Sequence, residues 1–336
     1  MNIVISLIIL LFFNYYFLCK NYSKRGNKFI FGFFFVFTSI ILRILIDPSS
    51  SKDYIGYYEF YNFDNSAGLT SFLVSEPYLF LLYKFFHFFF VDKSLILVCV
   101  FWFNWVLCMY FYVWLAFRDD LELWKKITIF AFYFFLFSFV VIRNAPVYII
   151  YSYFFYYSYR AIKYKSTIIT PFMHLSSLPL LLLLFHKEKN YFKYMVIGLL
   201  FFLVLFIFKF LPIFENIDAL ESPLNKIDTY LEDTKQKSFS HQIYFGFISG
   251  LFILSWIFFR KQVLHPIVIT TLLIYYITFF INPIIGFRYS PYVILAIFLT
   301  NFESKYELKF VTEILNTVIL VLLPYFIYTY YETHYL

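Results

Sequence analysis

The chain has 336 residues, of which 62% are hydrophobic and 14% charged, with a mean hydropathy of +0.75. These values lie outside the range of soluble domains and make the chain a polytopic membrane protein. The net charge of +7 does not imply nucleic acid, because Lys and Arg fall in short connections between apolar runs, where they act as topology signals.

Aromatic residues make up 27% of the chain, with 52 Phe and 33 Tyr, more than interfacial belts need. Many rings must therefore line helix contacts or a lumen. Cys19, Cys99 and Cys108 lack C-x-x-C spacing and are odd in number, which indicates neither a disulfide framework nor a metal site.

In chain order, residues 1–18 form a first span without the basic n-region of a signal peptide. Lys20, Lys24, Arg25 and Lys28 follow and place the next loop in the cytoplasm. Residues 29–46 return outward to an external loop at 47–76, the most polar and aromatic stretch of the chain, with Asp47, Asp53, Glu59 and Asp64. The run from Pro77 to Val91 is shorter than the roughly 20 residues a span needs and carries Lys84 and His87, so it is expected to be interfacial or re-entrant. Residues 94–117 then run inward to Arg118, Lys125 and Lys126.

Residues 127–142 run outward and 144–159 inward, with Arg143 at the turn between them. The run 166–185 contains Pro171, His174 and Pro179 and is expected to be broken, which a membrane tolerates only against protein or a wet cavity. Residues 191–212 lead to a larger external loop at 213–241, and further crossings are expected at 242–259, 264–282, 284–302 and 310–333. The expected fold is all-α: a single multi-pass domain over 1–336 with about ten transmembrane helices plus one or two broken or re-entrant helices.

The P-loop, G-x-G-x-x-G, H-E-x-x-H and G-x-S-x-G patterns are absent, and eight glycines leave little for a backbone phosphate cradle. The polar residues placed at membrane depth or at external helix ends are Arg43, Asp53, Glu76, Arg143, His174 and Arg288. On the topology above, the three arginines approach one leaflet. Guanidiniums bind phosphate oxygens through paired donors and stay charged when partly desolvated, so converging there they would suit a diphosphate. Asp53 or Glu76 would serve as general base toward a hydroxyl. Blander roles stand beside these: Arg43 as a helix-end anchor, Glu76-Pro77 as an ordinary helix start, His174 as an interhelical hydrogen-bonder.

The ordered set Arg43, Asp53 with Tyr57, Glu76-Pro77, Ile142-Arg143-Asn144-Ala145 and Met173-His174-Leu175-Ser176 resembles the EpsG family of polysaccharide-biosynthesis membrane proteins, related to Wzy-type repeat-unit polymerases. The likeness covers about residues 40–185, with Arg288 as a late arginine. No glycine precedes Asp53, Asn144 stands where the family has glutamine, and Pro146 replaces a small helix former.

The resemblance implies a bacterial inner-membrane glycosyltransferase that joins oligosaccharide repeat units carried on polyprenyl diphosphate, at the periplasmic or outer face, into O-antigen, capsule or exopolysaccharide. Asp53, Glu76 and Arg143 would be catalytic, and Arg43, Tyr57, His174 and Arg288 would bind substrate, with no cofactor and no metal. A flippase and a chain-length regulator would be its partners. A flippase for the same lipid-linked saccharide, or a ligase or other lipid-sugar-dependent transferase, fits these residues as well.

Overall fold

The computed structural model describes residues 2–22, 25–51, 54–60, 77–208, 239–259 and 264–299. Every regular element among them is helical. Three are long and apolar enough to cross a membrane: Gly26–Leu45, Lys93–Ala116 and Leu123–Val140. The other apolar helices are shorter. The expected span at 310–333 and nearly all of the loop at 213–241 lie outside the described residues.

The helices divide between two compact units, residues 80–149 going with α1 to α3 in the first and residues 150–305 falling in the second. In the first unit, α1 (Asn2–Cys19) and α2 (Arg25–Leu45) form an antiparallel hairpin. It is tied at mid-height by Asn14 Nδ2, which donates to Thr38 Oγ1 at 3.0 Å. After a 3₁₀ turn at Pro48–Ser50 come α3 (Tyr54–Phe60) and α4 (Pro77–His87). Eleven residues make α4 too short to cross a bilayer. Next is α5 (Lys93–Ala116), whose start is fixed by Asp92 accepting from the backbone N–H groups of Ser94 and Leu95.

The centre of the first unit is α6 (Leu123–Phe135), which continues as a π turn over Leu136–Val140. Of the Leu123–Val140 segment 72% is buried, against 33% of Gly26–Leu45, so α2 lies at the rim. The aromatic surplus of the sequence is spent here. Phe130 of α6 stacks on Tyr15 of α1 at 4.0 Å and meets Phe35 of α2 at 5.9 Å and Tyr112 of α5 at 5.4 Å. One ring thus joins four helices in offset and edge geometries that add to area burial.

The basic residues at the opposite end from Arg43 are not merely solvated topology signals. Lys28, Lys125 and Lys126 are all buried. Lys126 Nζ donates to the carbonyls of Ala116 at 3.2 Å and Cys19 at 3.5 Å, so one ammonium closes the C-termini of α1 and α5, where helix dipoles favour a cation. Lys28 is paired with Asp119, and Lys125 with Glu122 at 3.1 Å.

In the second unit the broken segment is as expected in kind. After α7 (Ala145–Tyr159), whose later residues enter this unit, the chain makes a 3₁₀ turn at Ser166–Ile169 and one turn of helix, α8 (Thr170–Met173). An eleven-residue 3₁₀ helix follows at Leu175–Phe185, with Pro179 inside it. Runs of 3₁₀ this long are uncommon; Pro179 removes one donor from within this one, and Pro171 sits in the first turn of the short helix before it.

Then come α9 (Tyr191–Phe208), α10 (Phe239–Phe259), α11 (Pro266–Ile281) and α12 (Pro283–Phe298). Asn282 ends α11 and caps α12, its Oδ1 accepting from Ile284 N–H at 2.8 Å with Pro283 in the first turn. The two helices fold back closely. A Cβ on Gly286 would sit 2.6 Å from Phe279 Cα.

At the far end of α12, Tyr159 OH donates to Ala296 O at 3.3 Å and Arg160 Nη1 to Leu299 O at 3.4 Å. Beside them lie two imidazoles, His186 and His265, with ring centroids 5.9 Å apart. His265 Nδ1 accepts from Ile267 N–H at 3.3 Å and so caps α11 as an unprotonated nitrogen.

Two outcomes follow from these contacts. Gly286→Ala destabilises the protein by about 1–3 kcal/mol, because backbone must move, whereas Gly246→Ala, which meets nothing within 4 Å, raises stability through helix propensity; thermal unfolding in detergent reads both.

Candidate functional site

Arg43 is in the last turn of α2 and is 1% exposed. Its guanidinium carbon lies 5.7 Å from the ring centroid of Phe101, on α5, and 5.1 Å from that of Phe139, in the π turn. Both aromatic faces attract a cation, most strongly where water is excluded. Arg43 also acts on Asp47 beyond the helix end. That carboxyl is held below its ordinary pKa first by hydrogen bonding to Ser49 and then by the guanidinium.

Tyr57 of α3 meets Phe101 edge-on at 6.3 Å and carries the half-buried Arg143 over its own face at 5.6 Å. Arg43, Phe101, Tyr57 and Arg143 thus form a continuous line at one end of the first unit, two rings in contact with a cation at either end. The structure brings together three of the residues singled out in the sequence. Phe101, the ring that joins them, was not among those; in a chain with 52 Phe nothing in its local sequence marks it.

Arg143 owes its position to a local irregularity. The π turn at Leu136–Val140 is followed by Val141 at φ −95°, ψ 80°, and α7 begins only at Ala145. A π turn widens the helix and leaves carbonyls out of the regular ladder. The Phe137 carbonyl is one, and Asn104 Nδ2 of α5 donates to it at 2.7 Å. Phe137 also stacks on Tyr148 of α7 at 4.9 Å, which closes the turn around Arg143. The next residue of α5, Trp105, donates through Nε1 to Ser39 Oγ of α2 at 3.1 Å. Asn104 is a supporting residue that the sequence reading passed over, although an amide in the run V-F-W-F-N-W-V is a costly choice in a membrane.

In the second unit, His174 stands at the junction of α8 and the long 3₁₀ helix in extended backbone, φ −156° and ψ 118°. It is 6% exposed. Tyr289 OH donates to the carbonyl of Ser176, two residues on, and Tyr289 is the neighbour of the half-buried Arg288 on α12. The segments bearing His174 and Arg288 are therefore joined within this unit. Phe287 meets His241 at 5.9 Å and Tyr244 at 5.0 Å, which packs α10 on the same stretch.

Asp53 and Glu76, the expected bases, lie outside the described residues. Among the described residues no group of three or more His, Cys, Asp or Glu is placed to hold a metal ion. The cation and aromatic line suits an anion flanked by a ring-shaped or apolar group. Guanidiniums supply forked donors to phosphate oxygens, and tyrosine faces suit sugar rings.

Asn104→Leu strips the Phe137 carbonyl of its buried donor and lowers stability by about 1–3 kcal/mol, read as an earlier unfolding midpoint. Asn104→Gln, which retains the amide, loses less. Comparison with protein-family models, curated proteins and solved structures finds no match for this chain.

Proposed function

We propose that this protein is a membrane polymerase that joins polyprenyl-diphosphate-linked oligosaccharide repeat units into a surface polysaccharide. The observation that carries the reading is the pair of guanidiniums, Arg43 and Arg143, bridged by Phe101 and Tyr57 at one end of the first unit. The resemblance of the ordered motifs to the EpsG family gives that pair its chemical context. In this reading the chain makes about ten crossings of a bacterial inner membrane, and the Arg43 end faces outward.

In the reaction an acceptor sugar hydroxyl attacks the anomeric carbon of the donor unit. The new glycosidic C–O bond forms as the C–O bond to the lipid diphosphate breaks, and the bonding pair leaves with the diphosphate. Asp53 or Glu76 takes the hydroxyl proton. Arg143 holds the diphosphate and stabilises the charge that develops on it. Arg43, buried and electrostatically coupled to Asp47, orients the carboxylate-bearing loop, with Tyr57 stacked on sugar.

A second reading, transport of the same lipid-linked saccharide, draws on the prolonged 3₁₀ segment at Leu175–Phe185, because transporters build substrate paths from broken helices.

Surface glycan from cells lacking the protein, resolved on gels beside cells carrying Arg143→Ala or Asp53→Ala, separates the two. Polymerisation predicts that the ladder collapses to single repeat units, with polymer reduced by at least about 100-fold in Arg143→Ala while the variant stays in the membrane. Loss of the single-unit band as well would instead assign transport or an earlier transfer, and normal long chains from Arg143→Ala would reject the site.

A further inference from the structure

The end of α4 and the connection to α5 carry an unusual surface. Phe85, Phe88, Phe89 and Val91 are 57%, 85%, 60% and 89% exposed, in the run K-F-F-H-F-F-F-V-D-K from Lys84 to Lys93. The rings of Phe85 and Phe89 pack on each other at 5.4 Å and form a cluster with its outer side open.

The depth of this cluster can be read from its neighbours. Phe86 meets Phe103 at 6.4 Å. Phe103 is ten residues beyond Lys93, the first residue of the spanning helix α5, which at 1.5 Å per residue is about 15 Å along its axis. A hydrocarbon core is about 30 Å thick, so the end of α4 lies beside the half of α5 nearer its start. Phe103, Val106 and Tyr110 are 37%, 53% and 68% exposed. They share one face of α5 by their spacing of three and four, and the cluster continues that face. Lys84 and His87 are exposed and Lys93 half-exposed, with Lys93 Nζ over the Tyr58 ring at 4.6 Å. The two lysines therefore flank the rings in the way that suits headgroup phosphates, while the Asp92 carboxylate is engaged by the first N–H groups of α5.

We propose that residues 84–93 form a wedge that enters one leaflet on the Arg43 side, with Phe85, Phe88, Phe89 and Val91 among acyl chains and the lysines at headgroup level. The wedge does not cross the membrane. Its occupant is lipid: the exposed face is continuous with the outward face of a spanning helix, and the flanking charge is positive. Its consequence is positional, because α3, whose Tyr58 lies under Lys93 and whose Tyr54 OH is 3.1 Å from Ser94 Oγ, also supplies Tyr57.

The test is nitroxide accessibility in nanodiscs of phosphatidylethanolamine and phosphatidylglycerol. Cys99→Ser removes the half-buried native thiol, the remaining Cys19 and Cys108 are buried, and labelling of that parent gives the background. Phe88→Cys and Val91→Cys introduce labels at the two most exposed positions of the cluster, the first giving up an edge-on contact with Phe89 at 5.2 Å. The wedge predicts several-fold greater collision with oxygen than with a water-soluble nickel chelate at both sites. Preferential collision with nickel at both would place the loop in water and overturn the proposal. Poor access to both reagents would show protein covering the patch, as in a second copy of the chain, and would equally overturn it. Neither result bears on whether the chain polymerises glycans.

Discussion

A guanidinium that is 1% exposed at the end of an apolar helix is the constraint around which the first unit is arranged. An arginine is costly in a membrane helix, most of all at its centre, and Arg43, although in the last turn, is buried. The cost is offset by two ring faces and by the charge of Asp47 just past the helix end. Each offset dictates something further. Phe139 reaches Arg43 only because α6 opens into a π turn, and Phe101 requires α5 to pack on both α2 and α3.

At the opposite end of the same unit the lysines solve a related problem in the opposite sense. There the buried cations are placed where helix C-termini present unsatisfied carbonyls, so Lys126 joins two helices that would otherwise each end on bare acceptors. The first unit is pinned at its two ends by cations, one held mainly by π faces and the other by carbonyls, with a nearly uninterrupted aromatic core between them.

The sequence reveals part of this. Arg43 and Arg143 are legible because a charge beside long apolar runs is expensive and must have a reason, and Pro171 and Pro179 mark the broken segment through their missing donors. The burial of Lys28, Lys125 and Lys126 is not legible: in a short basic loop, a topology signal and a structural clamp have the same spelling. Asn104 carries a signal, an amide between tryptophans and phenylalanines, but its partner is a carbonyl freed by a π turn that no residue type announces. Phe101 is invisible for the reverse reason, since a chain this rich in phenylalanine gives no ring any distinction.

The π turn has a consequence for descent as well as for geometry. Such a turn amounts to one residue inserted into a regular helix, and it rotates everything after it by about 100° relative to the face set by the preceding turns. A chain lacking one residue in Leu136–Val140 would keep a continuous apolar helix and its hold on Phe130. It would present Arg143 on a different side. A single codon gained or lost in this stretch is thus enough to convert an inert membrane helix into one that delivers a guanidinium beside Tyr57, or to reverse that change.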